Sequence, residues 1–162
     1  MASTLRFDNW EDSNGTPILD GSNLAIPSSA LPTGSVLQVA CVSDGTNVTT
    51  ASTSFTPHPN LSVSITPGTT SNKVLVRVVI GRADNSGPQA NNVAIFRNGS
   101  RVNSPLYSGD YSATAGEGAA LVVEALDSPA TTSAVTYEAY IAVSGGTGTY
   151  RTGSITVMEV AG

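Results

Sequence analysis

The side chains with the clearest potential for chemistry are four carboxylates in one stretch of the chain: Asp110, Glu117, Glu124 and Asp127. A glycosidase needs only two such groups, one as the acid and one as the base or nucleophile. Glu124 follows the apolar run 121–123, however, and Arg77 is available to pair with it, which favours a structural or solvent-facing role. The sequence therefore predicts a protein that is not an enzyme.

The chain holds one histidine and one cysteine, too few for a zinc site or a Ser-His or Cys-His nucleophile. His58 stands between Pro57 and Pro59, which predicts a stiff, exposed loop. Cys41 lies in the apolar run 36–42 and is predicted to be a buried small hydrophobe. No Gly-rich loop opens a helix, and no acidic spacing fits a calcium loop. We therefore expect no metal and no cofactor.

The charge pattern limits the partners. The net charge is −5, and the seven lysines and arginines are scattered without a cluster. This pattern gives no electrostatic footprint for nucleic acid and little attraction to an anionic membrane. No apolar run approaches the ~20 residues of a membrane helix, and no secretory signal is recognisable. We expect synthesis in a cytoplasm, with neither nucleic acid nor membrane as a partner.

From Gly34 onward the chain has the pattern of β-strands. Apolar or alternating segments rich in Val, Ile, Thr and Tyr lie at 35–43, 61–66, 73–82, 92–97, 119–126, 134–144 and 154–160. Turn sequences separate them, and Asn98-Gly99 is the sharpest because its two central positions require positive φ. No window has a helical period. Seven to nine short strands predict an all-β protein, an antiparallel β-sandwich or jelly roll.

Two of these segments are apolar on both faces. Segment 73–80 is broken only by Arg77, and segment 135–143 only by Glu138 among charged residues. A strand that is covered on one face alternates between polar and apolar residues, whereas a doubly covered strand does not. A single sandwich has one interior, so these segments predict a subunit interface.

Residues 1–34 have a different character and predict an extended N-terminal arm with one or two short strands or hairpins, followed by a head at 35–162. Turn-forming pairs recur there without a sustained period, yet the apolar side chains are too many for a solvated tail. They need a surface on their own subunit, on a neighbour or on a partner. The residues predicted to carry attachment are Phe7, Trp10, Ile18, Leu19 and Leu24.

Three tyrosines, Tyr107, Tyr111 and Tyr150, stand among serines and glycines in segments 104–118 and 144–153. A few rigid aromatic rings among adaptable polar residues suit the recognition of a sugar or a protein. The alternative is that these tyrosines cap the ends of the sandwich.

Several segments resemble one family in the same order along the chain. The string Leu61-Ser62-Val63-Ser64-Ile65-Thr66-Pro67-Gly68-Thr69-Thr70-Ser71-Asn72-Lys73-Val74-Leu75-Val76 resembles a signature of small bacteriophage virion proteins. The later pieces 94–99, 127–129, 135–137 and 155–161 are similar to the same family. The opening 3–8, with 18–20, resembles the N-terminal stretches of phage fibre and capsid-decorating proteins.

The resemblance implies a jelly-roll head of the tumour-necrosis-factor/C1q kind, usually a homotrimer, displayed on a virion. Members of the family occupy different places on the particle, so two functions stay open. The first is a trimeric capsid decoration (cement) protein on the capsid surface, which docks through the short arm on the phage major capsid protein or another virion protein and stabilises the shell. The second is a tail-fibre or receptor-binding tip that recognises a host surface glycan.

Overall fold

A computed structural model describes residues 10–11, 17–20, 23–24, 31–102 and 107–162, and within these ranges every regular element is a strand. The strands are β1 (Trp10–Glu11), β2 (Pro17–Asp20), β3 (Asn23–Leu24), β4 (Val36–Asp44), β5 (Val48–Thr50), β6 (Thr56–Ile65), β7 (Lys73–Asn85), β8 (Gln89–Arg97), β9 (Ser100–Arg101), β10 (Ser108–Ser112), β11 (Gly118–Asp127), β12 (Val135–Val143) and β13 (Gly148–Val160). The predicted all-β class is confirmed.

Ten of these strands form two antiparallel sheets that pack face to face. The β7 sheet has the order β11-β7-β13-β4, with β5 paired to β13; the β8 sheet has the order β10-β8-β12-β6, with β9 paired to β8. When the short strands β5 and β9 are set aside, the remaining eight strands pair, in chain order, first with last, second with seventh, third with sixth and fourth with fifth. This nested pairing is that of a jelly roll and confirms the predicted sandwich.

The core lies between the two sheets and follows from the period of two along each strand. In β7 the inward residues Val74, Val76, Val78 and Ile80 are all buried. They belong to one cluster with buried side chains of β6, β8, β12 and β13. Each fully buried aliphatic side chain contributes about 1.5–3 kcal/mol relative to exposure, so this row alone is a large part of the stability.

The expectation of an exposed loop at His58 is wrong, because β6 runs through Pro57, His58 and Pro59. Proline is tolerated there because β6 is an edge strand. The N–H group that a proline lacks is therefore not needed for hydrogen bonds between central strands. His58 is only 4% exposed. This burial lowers the pKa of His58, against the opposing effect of the nearby Asp44 carboxylate.

The expectation of a buried Cys41 is also wrong, because the thiol is exposed. In the register of β4 with β13, Cys41 stands opposite Thr156, whose hydroxyl donates a hydrogen bond to Cys41 Sγ at 3.3 Å. The neighbours Ala40 and Val42 pack against the core instead. Segment 36–42 places apolar residues on both faces of β4, but only one of these faces is covered by the core.

The hairpin turn at Asn98-Gly99 is confirmed. Asn98 has φ +47° and Gly99 has φ +78°, the two positive angles that this turn requires. The side chain of Asn98 adds to the turn, because its Oδ1 accepts a hydrogen bond from the Thr136 N–H at 3.0 Å.

Among the described residues of the arm there are three short strands. They form an antiparallel sheet in the order β1-β2-β3, separate from the two sandwich sheets. The chain then joins the sandwich beside its own end, because Gly34 N donates to Ala161 O at 2.8 Å and Ala161 N donates to Ser35 O at 2.9 Å. We refer to residues 31–35 as the arm root.

Candidate functional site

A row of large apolar side chains crosses the outer face of the β7 sheet. Leu126 is the register partner of Leu75, Leu75 of Met158, and Met158 of Val39. Directly opposed residues share a face, and the intervening residues of these strands fill the core, so this row lies outside. Val39 is 57% exposed and Leu126 48% exposed. We call these four residues the apolar strip.

The rows on either side of the apolar strip contain charged residues. Towards the arm root, Val160 stands between Val36 and the exposed Lys73. On the other side, Arg77 and Glu124 are register partners. The apolar strip is therefore one apolar row between two rows that carry charges, and an exposed apolar row is a candidate interaction site.

The sequence predicted a subunit interface on β7 but did not identify the individual residues of the apolar strip. The available signal was the period of two, because every second residue of β7 from Leu75 to Val79 is apolar except Arg77. Recognising the whole strip requires the strand order, which brings Leu126, Met158 and Val39 from distant parts of the chain beside Leu75.

The end of the sandwich next to the arm root is held by a buried carboxylate, Glu159. Its two oxygens accept hydrogen bonds from Gln38 Nε2 at 2.5 Å, Asn72 Nδ2 at 2.5 Å and the backbone N–H of Gly68 at 2.6 Å. Burial opposes ionisation, but these hydrogen bonds outweigh it and hold the pKa of the Glu159 carboxyl below its usual range. Glu159 thus ties β4 and loop 66–72 to the end of β13.

Two cavities lie at the same end, against the last residues of the chain. One of about 300 Å³ is lined in part by Leu31 and Leu37, and the other, of about 330 Å³, in part by Leu126 and Val160. Both are also lined by Ala161. Since Leu31 belongs to the arm root and Leu126 to the apolar strip, the arm joins the sandwich close to one end of this strip.

The three tyrosines predicted to face a ligand separate into two groups. Tyr107 and Tyr111 are 53% and 65% exposed, whereas Tyr150 is fully buried in β13, so its assignment to a ligand-facing loop is wrong. The Tyr150 hydroxyl donates to Ala142 O at 2.6 Å and accepts from the Asn92 N–H at 3.1 Å. Burial raises the pKa of Tyr150 to about 12. Tyr150 is therefore a core residue whose hydroxyl group has hydrogen-bond partners within the core.

An aromatic cluster covers part of the outer face of the β8 sheet. Phe96 stacks on Tyr140 with ring centroids 3.7 Å apart, and Phe55 packs against Phe96 at 6.1 Å and against Tyr107 at 6.3 Å. The Arg101 guanidinium lies 4.8 Å above the Phe55 ring. Side chains of the same chain therefore cover β12, so its two apolar faces do not require a second subunit.

Three of the candidate carboxylates lie on two strands in different sheets. Glu124 and Asp127 are on β11 in the β7 sheet, and Asp110 is on β10 in the β8 sheet. Asp127 accepts hydrogen bonds from Arg97 Nη1 at 2.5 Å and from the Tyr137 hydroxyl at 2.7 Å. Burial, together with the Asp127 contact, raises the pKa of Tyr137. Asp127 therefore has a structural part in the packing of β11 against β12.

Among the described residues, no three His, Cys, Asp or Glu side chains come together as a metal site. The same part of the chain has no helix with the length and apolar character needed to cross a membrane.

Four of the five predicted attachment residues fall in the small arm sheet, and Phe7 lies outside the described residues. The register pairs Trp10 with Leu19 and Leu19 with Leu24, while Ile18 is the neighbour of Leu19 along β2. Their role in attachment stays a prediction.

Comparison with known proteins gives no family for this chain. No family model matches it, and no curated protein matches it. Among solved structures, a chain in the structure of the infectious bursal disease virus Gt strain is similar to it, with 11% sequence identity and a TM-score of 0.44. The similarity covers 89% of this chain and 42% of the viral chain, so this chain spans less than half of that one.

Proposed function

We propose that the chain is a bacteriophage structural protein that decorates the capsid surface as a homotrimer and stabilises the shell. The observation that carries this proposal is the apolar strip, which leaves four large apolar side chains in a row on an outer sheet face. The jelly-roll topology agrees with what the resemblance of segment 61–76 to phage virion proteins implies.

Self-association is the simplest way to cover the apolar strip. Neighbouring strands lie ~4.8 Å apart, so a strip across four strands is about 14 Å long. Contact between this face and a different surface of the next copy is head-to-tail, and it makes a ring when the rotation between copies closes. A ring of three fits the threefold positions of an icosahedral shell.

In this proposal the arm attaches each copy to the shell. A decoration protein that binds the assembled shell but not its separated subunits stabilises the shell by mass action. The chain would act without catalysis, as a binding and structural protein.

Two measurements test the proposal. Light scattering on the purified full chain is expected to give a trimer, and protein quantification of purified virions is expected to give hundreds of copies per particle. A stable monomer that is missing from virions would end the proposal. A few copies per particle would instead indicate a position on the tail.

The second candidate, a receptor-binding tip, is favoured by the exposure of Tyr107 and Tyr111. Both lie at the edge of the β8 sheet, four residues apart, and Gly109 stands between them. The side chain of Asn92 occupies the space beside this glycine, since a Cβ on Gly109 would lie 2.4 Å from Asn92 Oδ1. Two exposed rings with an amide between them suit a sugar. Purified protein that adsorbs to host cells and blocks infection would support this role.

A further inference from the structure

Two arginines stand side by side on the outer face of the β7 sheet. Arg82 on β7 and Arg151 on β13 are register partners, and their side chains are 51% and 43% exposed. Each is the chain neighbour of a core residue, Ala83 or Tyr150, so both take the outer face. Like charges directly opposite one another on a sheet are destabilising. Among the described register pairs, this is the only one that opposes two cations.

A single carboxylate holds the two arginines together. Asp84 Oδ2 lies 3.3 Å from Arg82 Nε and 2.6 Å from Arg151 Nε, so the two Nε atoms are at most about 6 Å apart. Asp84 Oδ1 also accepts a hydrogen bond from Arg151 Nη2 at 3.3 Å, and the hydrogen bonds to Asp84 raise the pKa of Arg151. Loop 113–117 fixes the other guanidinium, because Arg82 Nη2 donates to Gly116 O at 2.5 Å.

The arginine pair keeps a positive charge and unused donors. Two guanidinium groups share one carboxylate, which gives the cluster a formal charge of +1 in a chain of net charge −5. Among the described residues, Nη1 of Arg82 and Nη1 of Arg151 donate no hydrogen bond. A guanidinium presents its N–H groups as a rigid fork that matches the oxygens of a phosphate or carboxylate. The two fixed, exposed groups can therefore bind one oxyanion between them.

A groove of about 440 Å³ begins next to the arginine pair. Its lining includes Gly81 and Thr152, which are the chain neighbours of the two arginines, and also Ser43, Ser154 and Val79. Serine and threonine hydroxyls can both donate and accept hydrogen bonds, as the hydroxyl groups of a sugar require. A Cβ on Gly81 would lie 2.6 Å from Thr152 Oγ1, so glycine is needed to leave the threonine side chain in place.

We propose that Arg82 and Arg151 form a binding site for an acidic saccharide, whose phosphate or carboxylate group bridges the two guanidiniums while a sugar ring lies in the groove. The pair is far from the apolar strip, because seven residues, about 23 Å of strand, separate Leu75 from Arg82 along β7. The site can therefore bind a saccharide while the strip is covered. Its existence does not depend on shell decoration.

Titration of the purified full chain in a phosphate-free buffer tests this site. Glucose 6-phosphate or glucuronate is expected to shift the NMR signals of the Nε–H groups of Arg82 and Arg151 saturably and to leave that of Arg77 unchanged. The tighter of the two sugars shows whether the site takes a phosphate or a carboxylate. Glucose has no charge for the guanidiniums and is expected to bind at least about tenfold more weakly.

Arg77 provides the matched control, because it is an exposed residue of the same strand and its loss changes the net charge equally. Arg82→Gln is expected to weaken binding of the acidic sugar at least about tenfold, and Arg77→Gln by less than about twofold. Arg82→Lys keeps the charge but loses the fork, so its loss should lie between these two. Urea unfolding checks that each variant is folded, and Arg82→Lys serves alone if Arg82→Gln is not.

Several results would overturn this site. Equal losses for Arg82→Gln and Arg77→Gln would show attraction by net charge alone. Shifts spread evenly over all arginines, or no saturable shift with either acidic sugar, would have the same consequence. Inorganic phosphate that binds as tightly as glucose 6-phosphate would overturn the placement of the sugar in the groove. None of these results bears on the oligomeric state or the copy number in virions, which test the proposed function.

Discussion

Leu75 and Met158 are register partners on the two central strands of the β7 sheet, and both lie on its outer face. The sequence positions are 83 apart, and only the jelly-roll order places them side by side. With Leu126 and Val39 on the flanking strands, they make an apolar row where an isolated sandwich would have polar residues.

A charge placed in the apolar strip should break the proposed oligomer. Val39→Lys is expected to weaken self-association by about tenfold or more, because a lysine would have to be buried at the subunit contact. Val39 is exposed within one chain, so the free energy of unfolding should change by less than about 0.5 kcal/mol. Sedimentation equilibrium measures the first effect and urea unfolding the second.

Ser62→Lys is the matched control for this substitution. Ser62 is an exposed residue on β6, an edge strand like β4 but in the other sheet. Its lysine variant should keep the oligomeric state of the unmodified chain. If Val39→Lys and Ser62→Lys both keep the oligomeric state of the unmodified chain, the apolar strip is not the subunit contact.

The thiol of the single cysteine can be used to probe whether the same face of the β7 sheet is covered, without any substitution. Cys41 is exposed and stands on β4 beside the apolar strip, two residues from Val39. A thiol reagent should modify it at least about fivefold more slowly in the assembled protein than in monomeric Val39→Lys, because a covered thiol is less accessible. Stopped-flow absorbance gives both rates. Equal rates would show that the oligomer leaves this part of the face open.

Replacement of Glu159 by glutamine should destabilise the fold. The ionised carboxylate accepts three hydrogen bonds from neutral donors, and such bonds to a charged group contribute about 1.5–3 kcal/mol each. The amide of Glu159→Gln replaces one acceptor oxygen by a donor that faces other donors. Urea unfolding near neutral pH should therefore show a loss of about 1–3 kcal/mol. Glu117→Gln, at an exposed position, should have no comparable effect.

The effect of Glu159 should also depend on pH. The pKa of its carboxyl is lower in the folded chain, so its stabilisation is fully present above the unfolded pKa of about 4.3. This stabilisation is lost as the pH falls through the folded pKa. The difference between the unmodified chain and Glu159→Gln should therefore shrink in acid, and a constant difference from neutral to acid pH would contradict this explanation.

Tyr150→Phe tests the polar contacts of the core. Loss of the hydroxyl leaves Ala142 O and the Asn92 N–H without this partner, which should cost about 1–3 kcal/mol of unfolding free energy. Tyr111→Phe removes a hydroxyl from an exposed ring and should change stability by less than about 0.5 kcal/mol. Denaturation in urea compares the two variants, and equal stability would show that the Tyr150 hydroxyl has no structural part.

The fold could be predicted from the sequence where strands alternate and turns are specific. The segments at 73–82 and 154–160 and the turn at Asn98-Gly99 all occur as expected. Strand β10 was missed because Ser-Gly-Asp-Tyr-Ser has little strand propensity and depends on pairing with β8. The early start of β6 was missed because its prolines are acceptable only at a sheet edge, which is a property of the strand order.

The candidate site was harder to predict because exposure depends on tertiary packing. Cys41 and Tyr150 were each assigned to the wrong environment, since an apolar run does not reveal which face is covered and a Gly-rich segment can continue a long strand. The strip of Leu75 and Met158 is visible only after the strand order is known.

The hydrogen bond between Gly34 N and Ala161 O has a practical consequence for the placement of fused peptides. A peptide fused after Gly162 would emerge beside the arm root. The loop at 113–117 lies at the opposite end of the sandwich, because Gly118 pairs with Asp84 near the far end of β7. Foreign sequences grafted into that loop would lie about 40 Å from the arm root by the length of β7.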